Sequence, residues 1–147
     1  MKACCGFGHR MVLADIEVDV YSAVLTAVQE GCAIFYTGAM GDFDTLFSVA
    51  VRRVKVKYPL IKLICVKPYL TNDLNTNKDY YAALYDDILI PTACVGVYHK
   101  AAITVRNRWI VDNSDQVISY IIRDFGGAAD AVNYARKQNK PIVSLAK

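Results

Sequence analysis

Apolar residues along the chain fall in short blocks, set apart by glycine- or proline-bearing turns and by stretches with helical spacing. Residues 2–5 form the first block and meet Gly6-Phe7-Gly8, which predicts a short buried strand entering a tight turn. Over residues 12–30, Ile16, Val20, Ala23, Val24, Ala27 and Val28 recur at the spacing of one helix face, and Gly31 stands where a helix end is capped. The same unit then repeats. A block at 32–36 predicts a strand, residues 37–44 a glycine-bearing turn, and Leu46, Val49, Ala50, Val54 and Tyr58 a helix closed by Pro59. Residues 61–66 predict a third strand.

Residues 70–77 are polar and turn-rich and read as an irregular interruption. Beyond them the pattern predicts a short helix through Tyr80, Tyr81, Leu84 and Tyr85, a short strand at 87–91, a helix at 101–109 and a strongly buried strand at 116–122. Gly126-Gly127 then precedes a helix through Ala131, Tyr134 and Lys137, and 141–145 closes the series as a strand. Continuous apolar strands alternating with helices are what a parallel sheet covered on both faces requires. The expected fold is α/β: a Rossmann-like three-layer α/β/α sandwich with a mainly parallel sheet, in one domain over residues 1–147. Strand order is not readable from this pattern.

Composition refines the picture without redirecting it. The hydrophobic fraction is 54% and the mean hydropathy +0.22, yet no apolar run approaches the roughly 18–20 residues of a membrane span. Asp15, Glu17 and Asp19 interrupt the N-terminal region before a secretory core develops, so a cytoplasmic protein with no membrane partner is expected. Cys4, Cys5, Cys32, Cys65 and Cys94 are odd in number, lack CxxC spacing and lie mostly in apolar blocks; buried thiols are expected, with neither disulfide framework nor metal site. A net charge of +3, spread along the chain, gives no specific reason to expect nucleic acid as a partner.

Three strand-to-helix junctions carry glycine: residues 6–10, 38–44 and 126–127. In an open parallel sheet such junctions gather at the carboxyl ends of the strands, where ligands bind beside a topological switch point. Glycine admits a phosphate close to backbone amides, and the helix that follows adds free N–H groups and the positive end of its dipole. Neither GxxxxGK[ST] nor GxGxxG occurs, which counts against P-loop hydrolysis and ordinary dinucleotide dehydrogenation. The candidate ligand-binding residues are Gly8, His9, Arg10, Gly38, Gly41, Asp44, Asn107, Arg108, Gly126 and Gly127.

Each candidate has a chemical role and a plainer alternative. Arg10 can clamp phosphate oxygens and His9 adds a titratable ring, or Arg10 is a solvated helix-start residue and His9 caps a loop. Asp44, with Asp42, either caps helix amides or accepts ribose hydroxyls and positions a water. Asn107 and Arg108, with Asp112, Ser114 and Asp115, either touch ligand or tie a helix to its loops. Tyr69, Tyr80, Tyr81 and Tyr98 either stack on a base or belong to the core.

The segments Gly8-His9-Arg10, Gly38-x-x-Gly41-x-Phe43-Asp44, Tyr58-Pro59-x-Ile61-Lys62, Arg106-Asn107-x-Trp109-x-Val111-Asp112-x-Ser114-Asp115 and Gly126-Gly127-Ala128 with Tyr134-Ala135 resemble, in order along nearly the whole chain, the YpsA-like branch of the SLOG superfamily. The resemblance implies a Rossmann-like fold related to DprA, the "lonely guy" phosphoribohydrolases and the nucleotide-sensing domains of antiviral systems. It also implies a nucleotide or NAD-derived ligand. The phosphoribohydrolases carry PGGxGTxxE with a catalytic glutamate. Here Gly126-Gly127-Ala128-Ala129-Asp130 lacks both the Gly-Thr pair and a Glu at that spacing, which counts against that reaction.

The expectation is therefore a binder, sensing or sequestering a nucleotide-derived, phosphate-bearing small molecule, with no separate cofactor and with homo-oligomerisation left open. The enzymatic alternative is an N-glycosidic or phosphoanhydride hydrolase using Asp44 or His9 as general base. A DNA-associated protein, by analogy with DprA, is the third class.

Overall fold

The first apolar block forms the central strand of a six-stranded sheet. The structure, a computed structural model, describes residues 1–146. Strands β1 (Lys2–Gly8), β2 (Cys32–Thr37), β3 (Lys62–Val66), β4 (Asp87–Leu89), β5 (Gln116–Tyr120) and β6 (Ile142–Ser144) lie in the order β4-β3-β2-β1-β5-β6, every pair parallel. The chain walks outward from β1 to β4 and then returns across β1 to place β5 on its other side. This reversal is the switch point at which open α/β sheets form ligand crevices.

Helices α1 (Glu17–Gln29) and α2 (Asp42–Lys55) connect β1 to β2 and β2 to β3 and cover one face. Short α3 (Asn72–Thr76) and α4 (Lys78–Leu84) lead to β4, and a 3₁₀ turn at Thr92–Cys94 precedes α5 (His99–Asp112). Helix α5 and α6 (Gly127–Lys137) cover the opposite face. The sheet thus separates two cores. Val20, Val24, Phe43, Phe47, Val51 and Val54 pack beneath α1 and α2, whereas Phe7, Val66, Ile110, Val111, Val117 and Val132 pack beneath α5 and α6. The α/β/α layering matches the sequence pattern. No helix among the described residues is long and apolar enough to cross a membrane.

The structure corrects several local expectations. Gly6 and Gly8 continue β1 instead of turning it, because α2 lies directly on them: a Cβ at Gly6 would stand 2.6 Å from Phe47 Cδ1, and one at Gly8 2.2 Å from Phe43 Cγ. The first helix starts at Glu17, not near Val12, which leaves residues 9–16 as a loop over the carboxyl edge of the sheet. The polar stretch at 70–77 contains α3, and α5 runs longer than residues 101–109. All five cysteines are free and buried, and burial pushes the Cys5 thiol up to about 12 and that of Cys65 to about 11.

Candidate functional site

Strands β1 and β2 end at Gly8 and Thr37, and the loops beyond them meet α5 and the start of α6 around a cavity of about 330 Å³. That volume lies at the small end of the roughly 300–1,000 Å³ typical of small-molecule sites. Eight of the expected residues line it: Gly8, His9, Arg10, Gly38, Asp44, Asn107, Gly126 and Gly127. Gly41 and Arg108 do not. Gly41 lies against the backbone of Arg10, and the Arg108 guanidinium sits 5.1 Å over the ring of Tyr134 on the outer side of α5.

Arg106 forms the floor and is the main residue that the candidate set left out. It occupies the buried stripe of α5 together with Ala102 and Ile110 and is only 3% exposed. Its Nη1 donates to the carbonyls of Gly38 (3.2 Å) and Val66 (2.9 Å), its Nε donates to Asn107 Oδ1 (2.8 Å), and its Nη2 touches Met40 Sδ at 3.1 Å. Carbonyls at the ends of two strands therefore hold a cation beneath the cavity. The absent side chain of Gly38 makes the room: a Cβ there would stand 3.1 Å from Arg106 Cζ.

Asp44 faces Arg106 from α2 and is 8% exposed. Burial raises its carboxyl to about 7, against the opposing pull of the Met40 N–H donated to Oδ2 (2.8 Å) and of Arg106 and Arg10. The aspartates do not cap their own helix. Asp44 holds the Met40 amide, and Asp42 Oδ2 accepts the Val12 N–H at 2.9 Å, so each ties an incoming loop to α2.

His9 is 3% exposed and lies between the ends of β1 and β5. Its Nε2 accepts the backbone N–H groups of Ile122 (2.9 Å) and Arg123 (3.3 Å), which puts the ring proton on Nδ1. Arg123 Nη2, 3.2 Å from Nδ1, then meets a second donor and makes no hydrogen bond there. Burial, and then Arg123, lower the imidazole below its usual value, which keeps it neutral. With both amides on Nε2, His9 holds the loop between β5 and α6 and has no free lone pair to act as a base. Arg123 points a guanidinium at the cavity, with Phe125 5.3 Å beneath it.

The other singled-out residues build structure. Asp115 Oδ2 accepts the Ala3 N–H (2.8 Å), Ser114 Oγ donates to Ile110 O (2.7 Å), and Tyr134 OH donates to Asp112 Oδ1 (2.7 Å). Tyr81 is buried and bonded to Asp73, Tyr69 stacks on His99 with centroids 4.1 Å apart, and Tyr80 and Tyr98 are exposed. Among the described residues no group of three or more His, Cys, Asp or Glu is placed to hold a metal ion.

The cavity is cationic. Arg10, Arg106 and Arg123 stand against the single carboxyl of Asp44, and α6 adds the amides of Gly127, Ala128 and Ala129, which have no partner among the described residues.

No family model matches the sequence, and no curated protein matches it. Solved structures do share its fold. DNA processing protein A from Helicobacter pylori, described for its single-stranded DNA binding mode, aligns with a TM-score of 0.71 at 17% identity, over 97% of this chain and 64% of that one. DNA processing protein A (DprA) from Streptococcus pneumoniae aligns with a TM-score of 0.55 at 13% identity, over 97% and 58%. The molybdenum cofactor carrier protein of Chlamydomonas reinhardtii aligns with a TM-score of 0.63 at 14% identity, over 99% and 77%. This chain spans less than two thirds of either DNA-processing protein. The fold is Rossmann-like and is shared with these DNA-processing and cofactor-carrier proteins. With DNA-processing proteins among its neighbours, the expectation that nucleic acid is disfavoured as a partner gains no support.

Proposed function

We propose that this protein, as one SLOG-type unit of the YpsA-like kind acting in the cytoplasm, binds a nucleotide-derived, phosphate-bearing small molecule in order to sense or sequester it. The observation that carries this reading is the convergence of Arg10, Arg106 and Arg123 with an uncovered helix start on one cavity. Arg106 is a preformed cation, held by carbonyls that do not neutralise it. Arg10 and Arg123 are exposed and free to close on phosphate oxygens, a task suited to the planar guanidinium fork.

Hydrolysis is the second reading, and Asp44 favours it: a carboxyl near pH 7 can give or take a proton under physiological conditions. Binding ranks first because His9 is fully engaged and no second carboxyl lines the cavity to work with Asp44.

A thermal-shift screen of ATP, ADP, NAD, ADP-ribose and nucleoside monophosphates, followed by chromatography of each mixture, tests both readings. A raised midpoint with intact ligand supports binding alone, released base or phosphate supports hydrolysis, and no shift with any of them refutes the proposal. Gly127→Val sharpens the screen. The space a Cβ would enter at Gly127 is empty, so the variant is expected to fold and to lose the ligand. Undiminished binding by it would remove the α6 start from the site.

A further inference from the structure

A second cavity, of about 340 Å³, lies in the groove between α5 and α6 and shares Ile103, Asn107 and Gly127 with the first. The two lie side by side at the start of α6, with those three residues lining both. The groove carries Arg108 and Lys137, with Thr104 and Asn133 as further polar groups and Asp130 as its carboxylate. Arg108 is pre-positioned, since its guanidinium lies over the Tyr134 ring and that ring is fixed by its hydroxyl on Asp112.

We propose that this groove is a second subsite, which holds the second sugar-phosphate unit of a ligand whose first phosphate lies in the arginine cavity. The inference rests on the binding reading above and extends it. The first cavity has room for little more than one nucleotide-sized unit, and anything that continues past Gly127 enters the groove. There Arg108 and Lys137 meet phosphate oxygens, while Asp130 accepts ribose hydroxyls and the Nδ2 groups of Asn107 and Asn133, whose Oδ1 atoms are taken by Arg106 and Arg136, donate to them. The fitting class is two sugar-phosphate units joined covalently, and either a pyrophosphate-linked molecule or the phosphodiester of a dinucleotide has that chemistry. The groove also explains why Arg108 is absent from the first cavity.

Calorimetric titration of the full chain with AMP, ADP-ribose and the dinucleotide pApA tests this. At least one two-unit ligand should bind about tenfold or more tightly than AMP, the scale of one charge-assisted hydrogen bond. Preference for ADP-ribose identifies the pyrophosphate source and preference for pApA the phosphodiester source. In Arg108→Ala and Lys137→Ala, both exposed positions, that advantage should shrink to about threefold or less while AMP binds as it does to the unsubstituted chain. AMP binding with no two-unit advantage, or an advantage that survives both substitutions, overturns the subsite and leaves the first cavity standing. Failure of all three probes to bind overturns the subsite together with the reading beneath it.

Discussion

Helices α2 and α6 start at the same edge of the sheet with nearly the same backbone and opposite surroundings. Gly41 precedes α2 with φ 95° and ψ −176°, and Gly126 precedes α6 with φ 99° and ψ 170°. At α2 the first amides are occupied: Asp42 N–H donates to Arg10 O (2.8 Å) and Phe43 N–H to His9 O (3.3 Å). At α6 the first backbone bond is Asp130 N–H to Gly126 O, and a Cβ on Gly126 or Gly127 would meet nothing within 4 Å. A glycine between strand and helix is therefore not by itself a phosphate site. What decides is whether a neighbouring loop covers the helix start, and residues 9–16 cover α2 alone.

The largest test of this contrast is a pair of alanine substitutions. At Gly41 a Cβ would stand 2.5 Å from Arg10 Cα, a backbone atom, in a conformation that L-residues resist. Gly41→Ala should cost about 3–5 kcal/mol, combining left-handed strain with overpacking. Gly126→Ala, with the same backbone strain but open space around the added Cβ, should cost only about 1–2 kcal/mol. Urea unfolding measures both, and equal costs would erase the distinction between a covered and an open helix start.

Asp44, in the first turn of the covered helix, gives the next effect. Its carboxyl stands at about 7 when folded against an ordinary 3.8, so between those values the folded state keeps a proton that the unfolded chain releases. Its contribution to stability accordingly falls as pH rises from about 4 to 7 and stays low above that. Asp44→Asn should be more stable than the unsubstituted chain at pH 8 by about 2–4 kcal/mol, and the gap should close towards pH 4. A pH-independent difference in urea midpoints would show that Asp44 is ionised throughout and paired.

At the open helix start the effects are on affinity. Arg123→Ala and Arg10→Ala should each weaken a phosphate-bearing ligand by about 1.5–3 kcal/mol without lowering the thermal midpoint, since both side chains are exposed. Unchanged affinity in either variant would remove that arginine from the site.

How much of this was legible follows from where each signal lies. Layering and most elements follow from apolar periodicity, and eight candidate residues meet at one cavity because glycine junctions mark strand ends. Gly6 and Gly8 were misread because glycine signals a turn more often than close packing. Their partners were nevertheless visible: Phe43 and Phe47, one helical turn apart, match two glycines on one face of a strand. Arg106 was findable as the charged member of the stripe Ala102, Arg106, Ile110. Arg123 carried no periodic signal, and the role of His9 depends on a contact across 113 residues. Strand order depends on pairing between distant segments, which periodicity does not encode.

The smallest effect separates the two helix starts by what secures their loops. Backbone bonds from α2 hold residues 9 and 10, whereas the loop before α6 is held through one titratable ring. The groups facing that ring are Arg123, 3.2 Å from Nδ1, and Tyr120, edge-on at 6.4 Å, with no carboxylate to favour the charged form. The imidazole therefore titrates below its usual 6.5. Protonation of Nε2 removes the acceptor for Ile122 and Arg123, so this contribution is complete above pH 6.5 and lost as pH falls below it. Because the two amides share a single Nε2 lone pair, at 2.9 and 3.3 Å, the scale is that of one ordinary hydrogen bond, about 1 kcal/mol. Amide hydrogen exchange, corrected for intrinsic rates, should show protection at Ile122 and Arg123 declining from pH 7 to pH 5, while Asp42 and Phe43 keep theirs. Should all four amides lose protection together, the two helix starts are secured as one unit and the contrast between them fails.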